Sequence, residues 1–136
     1  MVKLVICLET SVLVDFLRKD STIVAFIEEW ENITEVATTA ITIYELYYGA
    51  FKSRKRVQNI DAVEKLEASM DIFHFDGPAA KKAGEIFQIL ESRGEGVELR
   101  DVFIASIAIM HDVSLATKNE AHFARIEEFG LKLIVP

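Results

Sequence analysis

Four oxygen-bearing side chains stand where an α/β fold can gather chemistry: Glu9, Glu45, Asp101 and Asn119. Glu9 ends the apolar run Val5-Ile6-Cys7-Leu8, Glu45 lies in the first turns of a helical pattern, and Asp101 opens an apolar stretch. Asn119 follows a later short strand pattern. Open α/β sheets bind ligands at the carboxyl ends of their strands, so acids placed there can converge. Each like charge raises the cost of ionising its neighbours, and a divalent cation removes that cost. Magnesium and manganese prefer oxygen ligands, and magnesium usually takes one or two carboxylates and keeps several waters. These residue types in this pattern point to an acidic Mg²⁺ or Mn²⁺ site.

Each acid also has a plain structural use. Acids near helix N-termini favour the macrodipole and cap free N–H groups. Thr42 lies three residues before Glu45, the spacing of a capping box. Asp101 is harder to reduce to a cap, because Val102 to Met110 leaves it at the mouth of a core helix. Asn119 taken alone reads as a cap or turn residue.

Other chemistries lack their residues. His74, His111 and His122 show no metal-ligand spacing, and the single cysteine excludes a zinc–thiolate cluster. Gly94-Glu95-Gly96-Val97-Glu98-Leu99 imitates a dinucleotide fingerprint but lacks the third glycine and follows a helix. No phosphate-binding loop with a Lys-Ser/Thr ending is present. Tyr47-Tyr48 could stack on bases, although the spacing of Tyr47 suits the core.

The positioning elements follow from periodicity. A buried strand is expected over about Lys3 to Leu8, followed by a short helix capped by Thr10 or Ser11 and reaching Arg18. Ser21 begins a second helix with Val24, Ile27 and Trp30 as its apolar stripe. A strand over Glu35 to Thr39 precedes a helix carrying Ile41, Ile43, Leu46, Tyr47 and Ala50. Val57 to Met70 is amphipathic, Ile72 to Phe75 a strand, and Asp76-Gly77-Pro78 a turn into a further helix. Ser92 to Val97 is a loop. Val113 to Thr117 and Leu131 to Val135 are strands, with a short helix between them. Strands alternating with helices imply an α/β fold: a mostly parallel sheet covered on both faces.

At 136 residues with 51% apolar and 27% charged side chains, one globular domain over 1–136 is expected. No apolar run is long enough to cross a membrane, and the N-terminal run is broken by Glu9 and Asp15. Together with the lone Cys7 this fits a cytoplasmic protein. Twenty-two acids against fifteen bases give a net charge of −7, which argues against broad nonspecific nucleic-acid affinity. Lys52, Arg54, Lys55 and Arg56 are the only concentrated positive charge, either a solvated face or a track for a polyanion.

Four segments taken in order carry a resemblance. They are Leu8-Glu9-Thr10-Ser11-Val12-Leu13-Val14-Asp15, Ile41 to Ala50 around Tyr44-Glu45-Leu46, Arg100-Asp101-Val102-Phe103-Ile104-Ala105-Ser106, and Ala116-Thr117-Lys118-Asn119-Glu120-Ala121-His122-Phe123. The chain resembles the PIN-domain family, and within it the VapC toxin ribonucleases of toxin–antitoxin pairs. The resemblance implies a central parallel sheet sandwiched by helices and a magnesium- or manganese-dependent endoribonuclease. It implies Glu9, Glu45 and Asp101 as an acidic triad, Asn119 at a fourth position, and Thr10 or Ser11 supporting the metal or a phosphate. Lys52 and Arg54 would then steer the RNA backbone, and Glu98 is a further acid near the entrance. A VapB-type antitoxin, operator DNA bound through the antitoxin complex, and a homodimer are implied partners. One residue departs from the pattern: Glu9 stands where the family normally has aspartate. That departure leaves open a catalytically weakened PIN domain that mainly binds its antitoxin. A non-enzymatic acidic α/β binding domain, with the acids as caps, is the remaining alternative.

Overall fold

The computed structural model describes residues 5–136. Five strands form one sheet in the order β3-β2-β1-β4-β5. They are β1 (Val5–Leu8), β2 (Glu35–Thr39), β3 (Asp71–Phe73), β4 (Ser114–Ala116) and β5 (Leu133–Ile134). Every neighbouring pair is parallel. The expected Lys3 and Leu4 of the first strand lie outside the described residues.

Seven α-helices connect the strands: α1 (Thr10–Leu17), α2 (Ser21–Glu31), α3 (Ala40–Lys52), α4 (Arg56–Ala68), α5 (Gly77–Ser92), α6 (Leu99–Met110) and α7 (Glu120–Phe123). A 3-10 helix, Ala124–Phe129, continues α7 and ends at Gly130, whose φ of 104° suits only glycine without strain. The region expected to be one short helix is thus an α-turn running into a tighter one.

Two hydrophobic cores lie on opposite faces of the sheet, and the strands alternate between them. Ile6 and Leu8 join Val12, Leu13, Ile23, Ile27, Ile43, Leu46 and Val63 on the α1–α4 face. Cys7 points the other way, into Ile86, Leu90, Val102, Ile104, Phe123 and Ile126 beneath α5 and α6. This is the period-two alternation of a strand buried on both sides. The three-layer α/β sandwich expected from the sequence is the observed architecture.

Two local expectations change. The second helix buries Ile23 with Ile27, while Val24 and Trp30 are only partly covered. The third strand stops at Phe73, and Phe75 instead packs its ring 4.5 Å from that of Phe103. Asp76 caps α5 by accepting from the Ala79 N–H at 3.1 Å, with Pro78 in the first turn.

Candidate active site

The carboxyl ends of β1, β2 and β4 meet at one edge of the sheet. Because the strands are parallel and in register, residues just beyond Leu8, Thr39 and Ala116 emerge side by side. Thr38 ties two of these ends together, its hydroxyl donating to the Leu8 carbonyl at 2.7 Å.

Glu9 is buried, only 4% exposed, and stays extended for one residue beyond β1. Its N–H donates to the Ala116 carbonyl at 2.9 Å, continuing the β1–β4 pairing. The carboxylate then turns over the start of α1. Its Oε1 accepts from the Ser11 N–H at 3.1 Å, the Ser11 hydroxyl at 2.5 Å and the Thr117 hydroxyl at 2.7 Å. Glu9 is therefore itself the cap of α1, where Thr10 or Ser11 was expected. All three bonds fall on one oxygen, so Oε2 is the atom left to face a ligand.

Glu45 is reached from a different direction. Thr39, not Thr42, caps α3, accepting from the Thr42 N–H at 3.0 Å. The capping-box reading of Glu45 is thus corrected: its carboxylate does not fold back on its own helix. Oε1 accepts from the Thr10 hydroxyl at 2.7 Å, and Oε2 lies 3.8 Å from the Arg100 guanidinium.

Asp101 is the third residue of α6, beneath which Val102, Ile104, Ala105, Ile107 and Ala108 are fully buried. Its Oδ2 lies 3.4 Å from His122 Nδ1. The carboxyl is pushed up to about 6, chiefly by burial. His122 pulls against this, while the charges of Glu9 and Glu45 push further upward. Asp101 thus senses both other acids, as expected where like charges are gathered in a partly dry site.

The remaining sequence candidates divide. Thr10 and Ser11 are bound to the acids as described. Asn119 is exposed at the rim, its N–H donating to Thr117 Oγ1 at 2.9 Å. Lys52 and Arg54 are not brought to the acids. Lys52 is the last residue of α3, seven residues or about 10 Å of helix from Glu45, and its Nζ sits 5.0 Å over the Tyr48 ring; Arg54 lies in the turn beyond α3. Three residues were not foreseen: Thr117, His122 and Arg100. His122 falls three residues after Asn119, so the turn of helix beyond β4 was the available signal.

The donor set suits a hard cation in kind, since carboxylate oxygens and water are what magnesium and manganese take. The acids do not stand as a ready-made chelate: among the described residues, no group of three or more His, Cys, Asp or Glu is set to hold one ion. Hydroxyls, a guanidinium and an imidazole occupy the carboxylates instead. A cation here would be met by carboxylate oxygens and water, with Glu9 offering Oε2.

Comparison with known proteins decides the family. Residues 6–128 match the PIN domain model. The chain belongs to the PIN domain family. It is 30% identical over 128 residues to ribonuclease VapC1 of Methanocaldococcus jannaschii, spanning 94% of this chain and 85% of that protein. It is also 30% identical over 95 residues to the tRNA(fMet)-specific endonuclease VapC of Shigella flexneri, covering 70% and 72% of the two chains. Among solved structures, VapBC2 from Rickettsia felis, bound to a DNA fragment from its promoter, superposes with a TM-score of 0.89 at 27% identity. That match covers 98% of this chain and 99% of the other. The likeness to VapC proteins therefore spans nearly the whole PIN fold.

Proposed function

We propose that this PIN-domain protein is a metal-dependent endoribonuclease, the toxin of a VapC-type toxin–antitoxin pair. The observation that carries the reading is the convergence of Glu9, Glu45 and Asp101 on one sheet edge, with Asp101 held high by burial and by the other two charges. The VapC relatives give the same reading its substrate class, RNA.

Magnesium or manganese, when bound, supplies a Lewis acid and an activated water. Glu9, Glu45 and Asp101 are the residues that would hold it, with the Asn119 carboxamide as a fourth oxygen at the rim. Ser11 and Thr117 fix the Glu9 carboxylate, and Thr10 fixes Glu45, so these hydroxyls orient the acids. A carboxylate left free by the ion can take up a proton released at the scissile phosphate. Arg100, beside Glu45 and Glu98, can exchange its carboxylate partners for the phosphate itself. Lys52 and Arg54 would guide the strand from a distance.

Under this reading the partner is a VapB-type antitoxin, and operator DNA is bound through their complex, as in the Rickettsia felis assembly. A homodimer is also part of the reading. Cytoplasmic location is part of it; among the described residues no helix is long and apolar enough to cross a membrane. The substitution of glutamate at position 9 favours one rival, a weakened PIN domain that works mainly by binding its antitoxin. Incubating the purified protein with single-stranded RNA, with and without Mn²⁺, separates the two: cleavage abolished by EDTA supports the enzyme, and none at all supports the rival.

A further inference from the structure

A cavity of about 590 Å³ opens directly beside Asp101. Its walls are Val97 and Glu98 on the loop before α6, Ala121 and His122 on α7, and Arg125 on the 3-10 helix. The volume falls within the range of specific small-molecule sites.

The cavity is held in shape from both sides. Arg125 donates to the Gly96 carbonyl, and Arg93 Nη1 donates to Glu128 Oε1 at 2.5 Å. Both bonds run between the loop before α6 and the 3-10 helix and tie these two segments to each other. Neither pair touches the acids.

The lining matches one kind of occupant. Proteins read single-stranded RNA by splaying bases out, stacking them on aromatic rings or guanidinium planes, and bonding their Watson–Crick edges. His122 and Arg125 supply the two planar groups. Glu98 has only a loose 3.9 Å pairing with Arg100, and an ionised carboxylate can only accept hydrogen bonds. An acceptor at that wall suits the amino group of cytosine, adenine or guanine, and pairs cytosine in the manner known for acidic side chains on nucleic acid. Uracil carries no amino group, and its one donor, N3–H, is flanked by two carbonyl oxygens that repel a carboxylate.

Resting on the ribonuclease reading, we propose that this cavity is a nucleoside subsite. It takes the unstacked base next to the scissile phosphate and favours bases bearing an exocyclic amine over uracil.

The test uses the full chain with Mn²⁺ and a panel of short single-stranded RNAs varied at the two nucleotides flanking the cut. At one flanking position the unaltered protein should favour an amino-bearing base over uridine by about tenfold in kcat/KM, the size of one good base contact. Glu98→Gln, which can donate as well as accept, should reduce that preference to within about twofold. Ala121→Trp, which fills the cavity from an exposed position, should raise KM about tenfold with kcat retained. Metal-dependent cleavage with the same base preference and KM in both variants overturns the subsite and leaves the ribonuclease reading intact. No cleavage of any RNA by the unaltered protein overturns both. Loss of antitoxin binding by the two variants, with base preference unmoved, assigns the cavity to the protein partner and also overturns the proposal.

Discussion

The Thr117 hydroxyl donates to Glu9 Oε1 at 2.7 Å, joining the ends of β1 and β4 across 108 positions of sequence. Ser11 completes the knot, because its hydroxyl donates to the same oxygen and accepts from the Lys118 N–H at 2.9 Å. A buried carboxylate thereby gains partners without any cation. The cost of burying its charge is offset by three donors.

Thr117→Val removes one of those donors while keeping the shape. Second-layer partners of metal ligands typically change affinity by about 10–100-fold, so Mn²⁺ binding followed by calorimetry should weaken about tenfold. Urea unfolding should show a loss of about 1–2 kcal/mol, the scale of one hydrogen bond to a charged group, because the two Ser11 donors to Glu9 remain. Unchanged Mn²⁺ affinity would mean that Thr117 only supports the fold.

Glu9→Asp tests the position at which the resemblance implies aspartate. Aspartate is an excellent helix cap and keeps the Ser11 N–H, but the side chain is one methylene shorter and draws back from Thr117. Cleavage should stay within about tenfold of the unaltered protein, whereas Glu9→Gln should lower it by about 100-fold or more through loss of the charge. A sharp gain of activity in Glu9→Asp would favour the weakened-enzyme reading.

The sheet and its two cores were legible because their signals are local and periodic. The run Val5 to Leu8, the helical stripe Ile43-Leu46-Ala50 and the Asp76-Gly77-Pro78 start of α5 all declare themselves within a few residues. What each polar group bonds was not legible. Thr42 and Glu45 have capping-box spacing, yet Thr39 takes the cap and Glu45 reaches Thr10, 35 residues earlier. His122 shows no metal-ligand spacing in the sequence because its partner, Asp101, lies on another helix. Side-chain direction at the sheet edge depends on which strand ends meet, and that is set by the topology as a whole.

Asp101→Asn should change stability in a pH-dependent way. The carboxyl rises from its ordinary value to about 6 in the folded chain. Its protonated form is therefore favoured by folding, and that contribution is present below the unfolded pKa and lost as pH rises through about 6. Asparagine mimics the neutral form at every pH. In EDTA at pH 7.5 the variant should melt higher by about 2 °C, a figure discounted because the carboxylate keeps some contact with solvent. At pH 4 the difference should vanish. A variant less stable at pH 7.5 would show that the charge itself supports the apo fold.

Cys7 should be silent toward thiol reagents. It is fully buried in β1, and burial first, then the nearby Glu9 charge, pushes its thiol up to about 12. The thiolate is the reactive form. Labelling by an aromatic disulfide reagent should therefore follow the rate of opening of the sheet, and rapid labelling of the native protein would contradict the packing around β1.

Metal-dependent ribonuclease activity is tested by cleavage of single-stranded RNA by the unaltered protein and by Asp101→Ala, in Mn²⁺ and in EDTA. Cleavage is expected from the unaltered protein in Mn²⁺ only, with a fall of about 10³-fold or more in Asp101→Ala, the scale of losing a major electrostatic contributor to the transition state. Cleavage that persists in EDTA, or that is unchanged in Asp101→Ala, would contradict that expectation.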